Sequence, residues 1–194
     1  AATNPFAFGE FEVFEGRNSY NVTKANIQNY FRELVLDLDA ASLAFYFAEF
    51  AEYYCQENND ERMMLKLLYQ SLRALESPHI PKELVKVVFE LKAITINGEG
   101  PEVFSCMKCH DKENLQFFSV QRGGMFCNKC VDGVPAMHVL DSTRYTMQYV
   151  ISTPVEKLYS FTVSQEVLEE LKTIMQAYMA HYVHHEFKSL HIFG

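Results

Sequence analysis

Long hydrophobic runs are missing from this 194-residue sequence. A helix that crosses a membrane needs about 20 consecutive apolar residues, and no uninterrupted apolar stretch comes near that length. The first residues also lack the basic start and the apolar block of a secretory signal peptide. We therefore expect a cytoplasmic protein with no membrane partner. Thiols stay reduced in that compartment, so paired cysteines indicate metal ligands before they indicate disulfides.

Positive charge is also scarce. The chain has 17 lysines and arginines against 25 aspartates and glutamates, which gives a formal net charge of −8. A domain that binds nucleic acid over most of its surface has the opposite balance. The composition therefore argues against a broad basic surface, and positive charge is left only in local clusters.

The usual signatures of catalytic sites are absent as well. The sequence contains no G-x-S-x-G, no G-x-x-x-x-G-K and no G-x-G-x-x-G. Its H-x-E, at 184–186, follows both cysteine pairs, whereas nucleobase deaminases place this motif before them. His185-Glu186 does not begin a zinc-protease motif, because Ser189 stands where the second histidine would be. We predict that the protein is not an enzyme, with a catalytic site among the helices as the open alternative.

Two C-x-x-C pairs are the most specific feature that is present. Cys106 and Cys109 form the first pair, Cys127 and Cys130 form the second, and 17 residues separate them. Each short pair forms a tight knuckle, and four thiolates complete the tetrahedral shell that zinc prefers. A closed shell leaves no position for water, so we predict one structural Zn²⁺. The alternatives are an iron site, a disulfide pair and a chance spacing.

The residues between the two pairs predict a hairpin. Phe117 and Phe118 favour a strand, Gly123-Gly124 supplies the turn, and a second short strand leads into Cys127. Together with the two knuckles, this hairpin predicts a zinc ribbon at about residues 101–135.

The rest of the chain is predicted to be mainly helical. Apolar residues at helical spacing predict the following segments: Thr23–Val35, Ala40–Gln56, one after Asp60, one after Pro81, 142–153, and Ser164–Leu190. Only residues 1–23 have the pattern of strand, turn and strand, with a slip at Gly9-Glu10 that indicates a bulge. The predicted fold class is mainly α: a β-hairpin at 1–23, then a helical bundle at 24–194 into which the ribbon is inserted.

Four further histidines come near the end of the last predicted helix: His181, His184, His185 and His191. They could chelate a second metal ion. The competing interpretation is that they are solvated and are favoured by the helix dipole.

The helix after Asp60 carries a group that we call the cationic strip: Arg62, Lys66, Tyr69 and Arg73. Their spacing places all four on one side of the helix. The strip is either an ordinary solvated face or a set of cations over an aromatic floor, which would suit an acidic peptide or a phosphate backbone.

The order of these features resembles the RecO family of bacterial recombination mediators. Three segments carry the resemblance: GEGPEVFSCMKC from Gly98, FFSVQRGGMFCNKC from Phe117, and HHEFKSLHIF from His184. Their most specific parts are the Pro-x-hydrophobic-x-x-C-x-x-C entry at Pro101, the Gly-Gly before Cys127 and the Lys-Ser-Leu of the last segment. The resemblance covers essentially the whole chain.

The resemblance implies an N-terminal OB-fold, a helical domain and an embedded zinc ribbon. Residues 1–23 would be the last hairpin of the OB-fold, most of which lies outside this sequence. RecO proteins bind single- and double-stranded DNA, anneal complementary strands, bind the acidic C-terminal tail of single-strand binding protein, and act with RecR to load RecA. They are cytoplasmic, nucleoid-associated proteins of bacteria. The family binds DNA through basic surfaces, and the acidic composition departs from that pattern.

Two sets of residues are candidates for the partners that the resemblance implies. The cationic strip is the candidate site for the acidic tail of single-strand binding protein, because such a ligand needs cations beside an apolar pocket. Three cations in the ribbon are candidate DNA contacts: Lys108, Arg122 and Lys129. The alternative function is a zinc-ribbon protein-interaction adaptor unrelated to DNA.

Overall fold

The computed structural model describes residues 4–189, which form a mixed α/β structure. Five α-helices lie within this range: α1 (Leu38–Tyr54), α2 (Arg62–Leu75), α3 (Lys82–Ile96), α4 (Asp141–Ser152) and α5 (Gln165–Tyr182). The strands are β1 (Phe8–Glu15), β2 (Tyr20–Asn29), β3 (Leu115–Ser119), β4 (Gly124–Cys127) and β5 (Met137–His138). None of these helices combines the length and the apolar character that crossing a membrane requires.

The first sheet is an antiparallel hairpin of β1 and β2 that extends beyond its predicted end. Because β2 continues to Asn29, the helix predicted over 23–35 is wrong. Contacts between the two strands outweigh the local helical pattern here. One of these contacts is the 2.9 Å ion pair between Lys24 and Glu12. What remains of the predicted helix is one turn of 3₁₀ helix at Leu34–Leu36.

The predicted bulge near Gly9 is confirmed. The pairing of β1 with β2 shifts register between Phe8 and Gly9. A Cβ atom on Gly9 would lie 2.2 Å from the carbonyl oxygen of Asn26, so the two backbones approach too closely here for any side chain. The division of the chain into units at 1–23 and 24–194 stays a prediction.

Helix α3 forms the centre of the core. From Leu84 to Ile94 every residue except Lys86 is buried, as expected for a helix with neighbours on all sides. The other four α-helices all contact α3. On the α1 side, the rings of Phe89 and Phe47 stack with centroids 4.0 Å apart. The two helices that follow the cysteine segment therefore pack on the helices that precede it.

Two charged side chains of α3 are buried with polar partners. The hydroxyl of Tyr46 donates a hydrogen bond of 2.7 Å to the Glu90 carboxylate. The ammonium of Lys92 donates to the main-chain carbonyls of Ile151 and Thr153, each at 2.8 Å. These carbonyls lie at the end of α4, where the helix itself supplies no donor. Lys92 therefore caps α4 from inside the protein.

The helix boundaries agree in part with the sequence. Helix α3 ends at Asn97 and Gly98 as predicted, with Gly98 in the left-handed conformation at φ 82°. Ser164 caps α5 as predicted, accepting a hydrogen bond from the N–H of Val167. The predicted end of α5 is wrong, because the helix stops at Tyr182.

Residues 183–189, which we call the strap, run back along α1 instead of continuing α5. The ring of Phe187 stacks on Phe50 with centroids 5.1 Å apart. The carboxylate of Glu49 accepts hydrogen bonds of 2.9 Å from the main-chain N–H groups of Lys188 and Ser189. These contacts with α1 are incompatible with a continuing helix.

Candidate metal centre

The predicted hairpin between the two cysteine pairs is confirmed. Strands β3 and β4 pair antiparallel, with Phe118 opposite Met125 and Leu115 opposite Cys127. A third strand, β5, pairs with the other edge of β3. The sequence did not predict β5, because two residues are too few to show a periodic pattern.

The segment before the first knuckle adds to the same sheet. Glu102 exchanges main-chain hydrogen bonds with β4, donating to Gly123 at 2.9 Å and accepting from Met125 at 2.8 Å. The main-chain N–H of Met107 also donates to the carbonyl of Met125. A Cβ atom on Gly124 would lie 2.7 Å from the carbonyl oxygen of Glu102. The second glycine of the Gly-Gly pair therefore lets the first knuckle approach β4.

The four sulfur atoms lie together. The Sγ atoms of Cys106, Cys109, Cys127 and Cys130 are all within 4.8 Å of one another. The sulfurs of Cys109 and Cys127 are 3.7 Å apart, although they belong to different knuckles. A tetrahedron of thiolates with metal bonds of about 2.3 Å has edges of about 3.8 Å. The cluster could therefore hold one metal ion.

Backbone donors and neighbouring sulfurs shift the thiol pKa values in opposite directions. Burial alone would raise the pKa of Cys106, but the main-chain N–H groups of Cys109, Cys127 and Lys108 outweigh it and lower this pKa to about 6. Burial and the surrounding sulfurs raise the pKa of Cys130 to about 12. Four thiols this close cannot all lose their protons unless a cation takes the place of those protons.

The histidines that were the open alternative for a second metal ion form no such site within the described residues. Between residues 4 and 189, the four cysteines are the one group of three or more potential ligands that lie close together. His185 instead stacks on Tyr53 with centroids 4.6 Å apart, and its Nε2 lies 3.8 Å from Glu49. His191 is outside the described residues.

Residues 101–135 carry the four cysteines, and we call them the cysteine unit. Side chains from α4 and α5 fix this unit to the helices. The hydroxyl of Tyr178 donates a hydrogen bond of 2.9 Å to the carbonyl of Glu99, just before the unit begins. The amide of Gln148 donates at 2.7 Å to the carbonyl of Val103. These two residues were not predicted as part of the site, because a single tyrosine or glutamine carries no motif.

The three predicted DNA contacts occupy turns of the cysteine unit. Lys108 is in the first knuckle, Lys129 is in the second, and Arg122 is in the turn between β3 and β4. All three side chains are exposed, and in the described part of the chain none forms an ion pair.

Two cations of the strip already hold carboxylates. The guanidinium of Arg62 turns back onto Asp60, with Nε 2.8 Å from Oδ1. The ammonium of Lys66 lies 3.0 Å from the carboxylate of Glu156, in the loop before α5. The cationic strip is therefore partly neutralised by acids that helical spacing alone could not identify.

The aromatic member of the strip is covered by the hairpin. The ring of Tyr69 lies 4.4 Å from that of Phe8 and 5.6 Å from that of Phe31. Arg73 remains beside Tyr69, with its Cζ 6.0 Å from the ring centroid. The predicted aromatic floor is therefore occupied by residues of the chain itself.

Comparison with known proteins connects this centre to one family. A family model described as Recombination protein O C terminal matches residues 35–191, which include all four cysteines of the cluster. The match therefore extends over the cysteine unit and the five helices.

Several similar proteins are named DNA repair protein RecO. That of Thermoanaerobacter sp. (strain X514) is 30% identical over 192 residues, which are 97% of this chain and 76% of that protein. That of Acetivibrio thermocellus is 28% identical over 182 residues, 92% of this chain and 72% of the relative. That of Clostridium kluyveri is 26% identical over 193 residues, 99% of this chain and 75% of the relative.

The resemblance drawn from the cysteine motifs agrees with both comparisons. The four sulfurs of the cluster lie inside the matched region, as do all the helices that position them. The chain therefore belongs to the RecO family of DNA repair proteins.

Proposed function

We propose that the four cysteines hold one Zn²⁺ ion with a structural role, in a zinc ribbon at about residues 101–135. The support is the geometry of the sulfurs and the chemistry of an all-thiolate donor set, which favours zinc or an iron site over the hard cations. When bound, the ion would cross-link the two knuckles. Four thiolates would also close its coordination shell, so the site offers no position for a substrate.

We propose that the protein is a non-enzymatic recombination mediator in DNA repair. Its role would be to bind single- and double-stranded DNA, anneal complementary strands, bind the tail of single-strand binding protein, and act with RecR to load RecA. The observation that carries this proposal is the family match over 35–191. The same match favours this function over a zinc-ribbon adaptor unrelated to DNA. The inferred location is the bacterial cytoplasm, in association with the nucleoid.

The proposed architecture follows the same family. The hairpin of β1 and β2 would be the last part of an OB-fold, and the five α-helices would form the helical bundle that carries the ribbon. Five large apolar side chains of the hairpin are exposed: Phe11, Val13, Phe14, Tyr20 and Val22. Two strands rarely suffice for a stable sheet, so these side chains support the idea that the hairpin is one part of a larger β structure.

The ribbon cations are the proposed DNA contacts. Lys108, Arg122 and Lys129 are exposed on turns, where the side chains can reach phosphate groups. Fluorescence anisotropy with a labelled single-stranded oligonucleotide tests this role over a range of salt concentrations. We expect saturable binding whose affinity falls with salt, and a smaller salt slope in the variant Lys108→Gln/Lys129→Gln. A wild-type protein that binds no DNA at low salt would contradict the proposed function.

The cationic strip stays the proposed site for the acidic tail of single-strand binding protein. Arg73 supports this proposal, because its guanidinium is exposed. Titration with a labelled acidic peptide that ends in Asp-Phe-Pro-Phe tests it. We expect saturable binding that weakens in Lys66→Glu and in Arg73→Glu. If both variants bind the peptide as wild type does, this site is wrong.

A further inference from the structure

A small polar cleft lies between α2 and the 3₁₀ turn at Val155–Lys157. Its volume is about 270 Å³, below the range of about 300–1,000 Å³ that is typical of pockets for whole small molecules. Most of its lining side chains are polar, and they include Gln70, Arg73, Ser77, Glu156, Lys157 and Ser160. The volume of the cleft and its polar lining therefore suit one small polar group.

The charges around this cleft are mainly positive. Glu156 is held by Lys66 at 3.0 Å, and its own main-chain N–H together with the Lys66 ammonium lowers the pKa of its carboxyl group. Arg73, on α2, and Lys157, in the 3₁₀ turn, both line the cleft. Both are exposed, and neither forms an ion pair within the described residues. The carboxylate of the lining is thus already paired with Lys66, and the cleft keeps two cations without an ion pair in the described residues.

One further carboxyl group lies close enough to Arg73 to be influenced by its charge. It belongs to Glu76, whose pKa is raised chiefly by burial. The side chain of Glu76 lines a separate cleft, together with Asp37 and Lys82. Glu76 therefore does not occupy the position between Arg73 and Lys157.

The turn that carries Lys157 is firmly placed. Val155 and Leu158 on either side of it are buried. The carbonyl of Lys157 itself accepts hydrogen bonds from Ser160 at 2.8 Å and from Tyr149 at 3.0 Å. The main chain at Lys157 is therefore ordered before any ligand binds, so that only its side chain loses conformational freedom on binding.

The donors of the cleft match the oxygens of a phosphate group. The cleft is lined by residues that carry a guanidinium, an ammonium, an amide and a hydroxyl: Arg73, Lys157, Gln70 and Ser77. Arginine and lysine together with short polar side chains are the usual partners of the nucleic-acid backbone. An acidic peptide with large apolar side chains would need an apolar pocket beside the cations, and this cleft is too small and too polar for that.

We propose that this cleft binds a backbone phosphate of single-stranded DNA. This inference rests on the proposed DNA-binding function and assigns it a contact on the helical part of the chain, separate from the cysteine unit. Such a contact is electrostatic and independent of sequence, so it contributes affinity without base specificity.

Anisotropy titrations of the full chain with fluorescein-labelled oligothymidylate test the cleft, using Arg73→Gln, Lys157→Gln and the double variant. Lys188→Gln is the matched control, because it removes one exposed cation that forms no ion pair within the described residues and lies outside the cleft. Each cleft variant is expected to bind more weakly, and the double variant, which removes the single phosphate contact, is expected to reduce the slope of log K against log salt by about 0.7. The control should retain the wild-type slope. Because all these side chains are exposed, the variants should keep the wild-type Tm.

The outcomes separate this inference from the function on which it rests. Wild-type binding that the double variant leaves unchanged would overturn the cleft but not the DNA-binding function. Equal losses in Lys188→Gln and in the cleft variants would also overturn it, because they would reflect net charge alone. If Lys157→Gln, which lies outside the cationic strip, loses an acidic peptide but keeps the oligonucleotide, the cleft is a peptide site and the inference is wrong. A wild-type chain that binds no DNA would overturn both.

Discussion

The sulfur of Cys109 lies 3.7 Å from the sulfur of Cys127, although the two residues belong to different knuckles. This distance is close to the edge of a tetrahedron of thiolates around a metal ion. The strand that brings Cys127 to this position depends on Gly124, where the backbone passes close to Glu102. The metal centre and the small sheet are therefore parts of one folding unit.

The first prediction concerns the metal. Purified protein should contain one zinc ion per chain, and Cys130→Ser should lose it and unfold the ribbon at a lower temperature than wild type. Cys55→Ser is the matched control, because Cys55 is the free cysteine outside the cluster. Mass spectrometry of the metal content, together with thermal unfolding, measures both effects. Protein that carries no metal, with its four thiols joined as disulfides, would contradict the prediction.

The second prediction concerns the close approach at Gly124. In Gly124→Ala the new methyl group would meet the carbonyl oxygen of Glu102 and the side chain of Met107, so we expect a loss of about 1–3 kcal/mol in unfolding free energy. Zinc should also pass more readily to a competing chelator. Gly133→Ala is the control: Gly133 has a φ of 76° with open space around it, and its substitution should cost about 1 kcal/mol. Equal zinc affinity in the two variants would show that the close backbone approach at Gly124 does not contribute to zinc binding.

The third prediction concerns the strap. Hydrogen bonds from the hydroxyl and the main-chain N–H of Ser189 lower the pKa of Glu49 from 4.5 to about 2. Because the folded pKa lies below the unfolded one, this stabilisation is present above about pH 4.5 and is lost as the pH falls toward 2. Glu49→Gln should cost about 1–2 kcal/mol near neutral pH and speed amide exchange at Lys188 and Ser189. Unchanged exchange at these two amides would contradict the role of Glu49.

The fourth prediction concerns the buried lysine of α3. In Lys92→Met the carbonyls of Ile151 and Thr153 lose their donor while the volume of the side chain is largely kept. We expect a loss of about 1–3 kcal/mol, measured by urea unfolding of the zinc-loaded protein. The control is Lys129→Met, a substitution at an exposed position, which should change the free energy of unfolding by less than about 0.5 kcal/mol. A stability of Lys92→Met equal to that of this control would show that the cap contributes nothing.

Features that depend on neighbouring residues were predictable from the sequence. The knuckles, the turn at Gly123-Gly124 and the cap at Ser164 each follow from residue types at short spacing. Helix α3 was predictable as well, because its apolar run ends at Asn97 and Gly98. In all these places local preference and the final structure agree.

Features that depend on distant contacts were not predictable. The spacing of Ile27 and Phe31 suits a helix, but pairing with β1 makes the segment a strand as far as Asn29. The end of α5 is set by Phe187 and by Glu49 on α1, far away in the chain. The same holds for Lys66 of the cationic strip, which pairs with Glu156 from a distant part of the chain. Tertiary contacts override local periodicity in each of these cases.

The proposed mediator function is tested most directly by asking whether the zinc-loaded chain anneals DNA. The measurement is the rate at which two complementary labelled strands pair, followed by energy transfer between their dyes. We expect faster annealing with the protein than without it, and a loss of that acceleration at high salt. We also expect a loss in the double variant Arg73→Gln/Lys157→Gln. An annealing rate that the protein leaves unchanged at low salt would show that the proposed function is wrong.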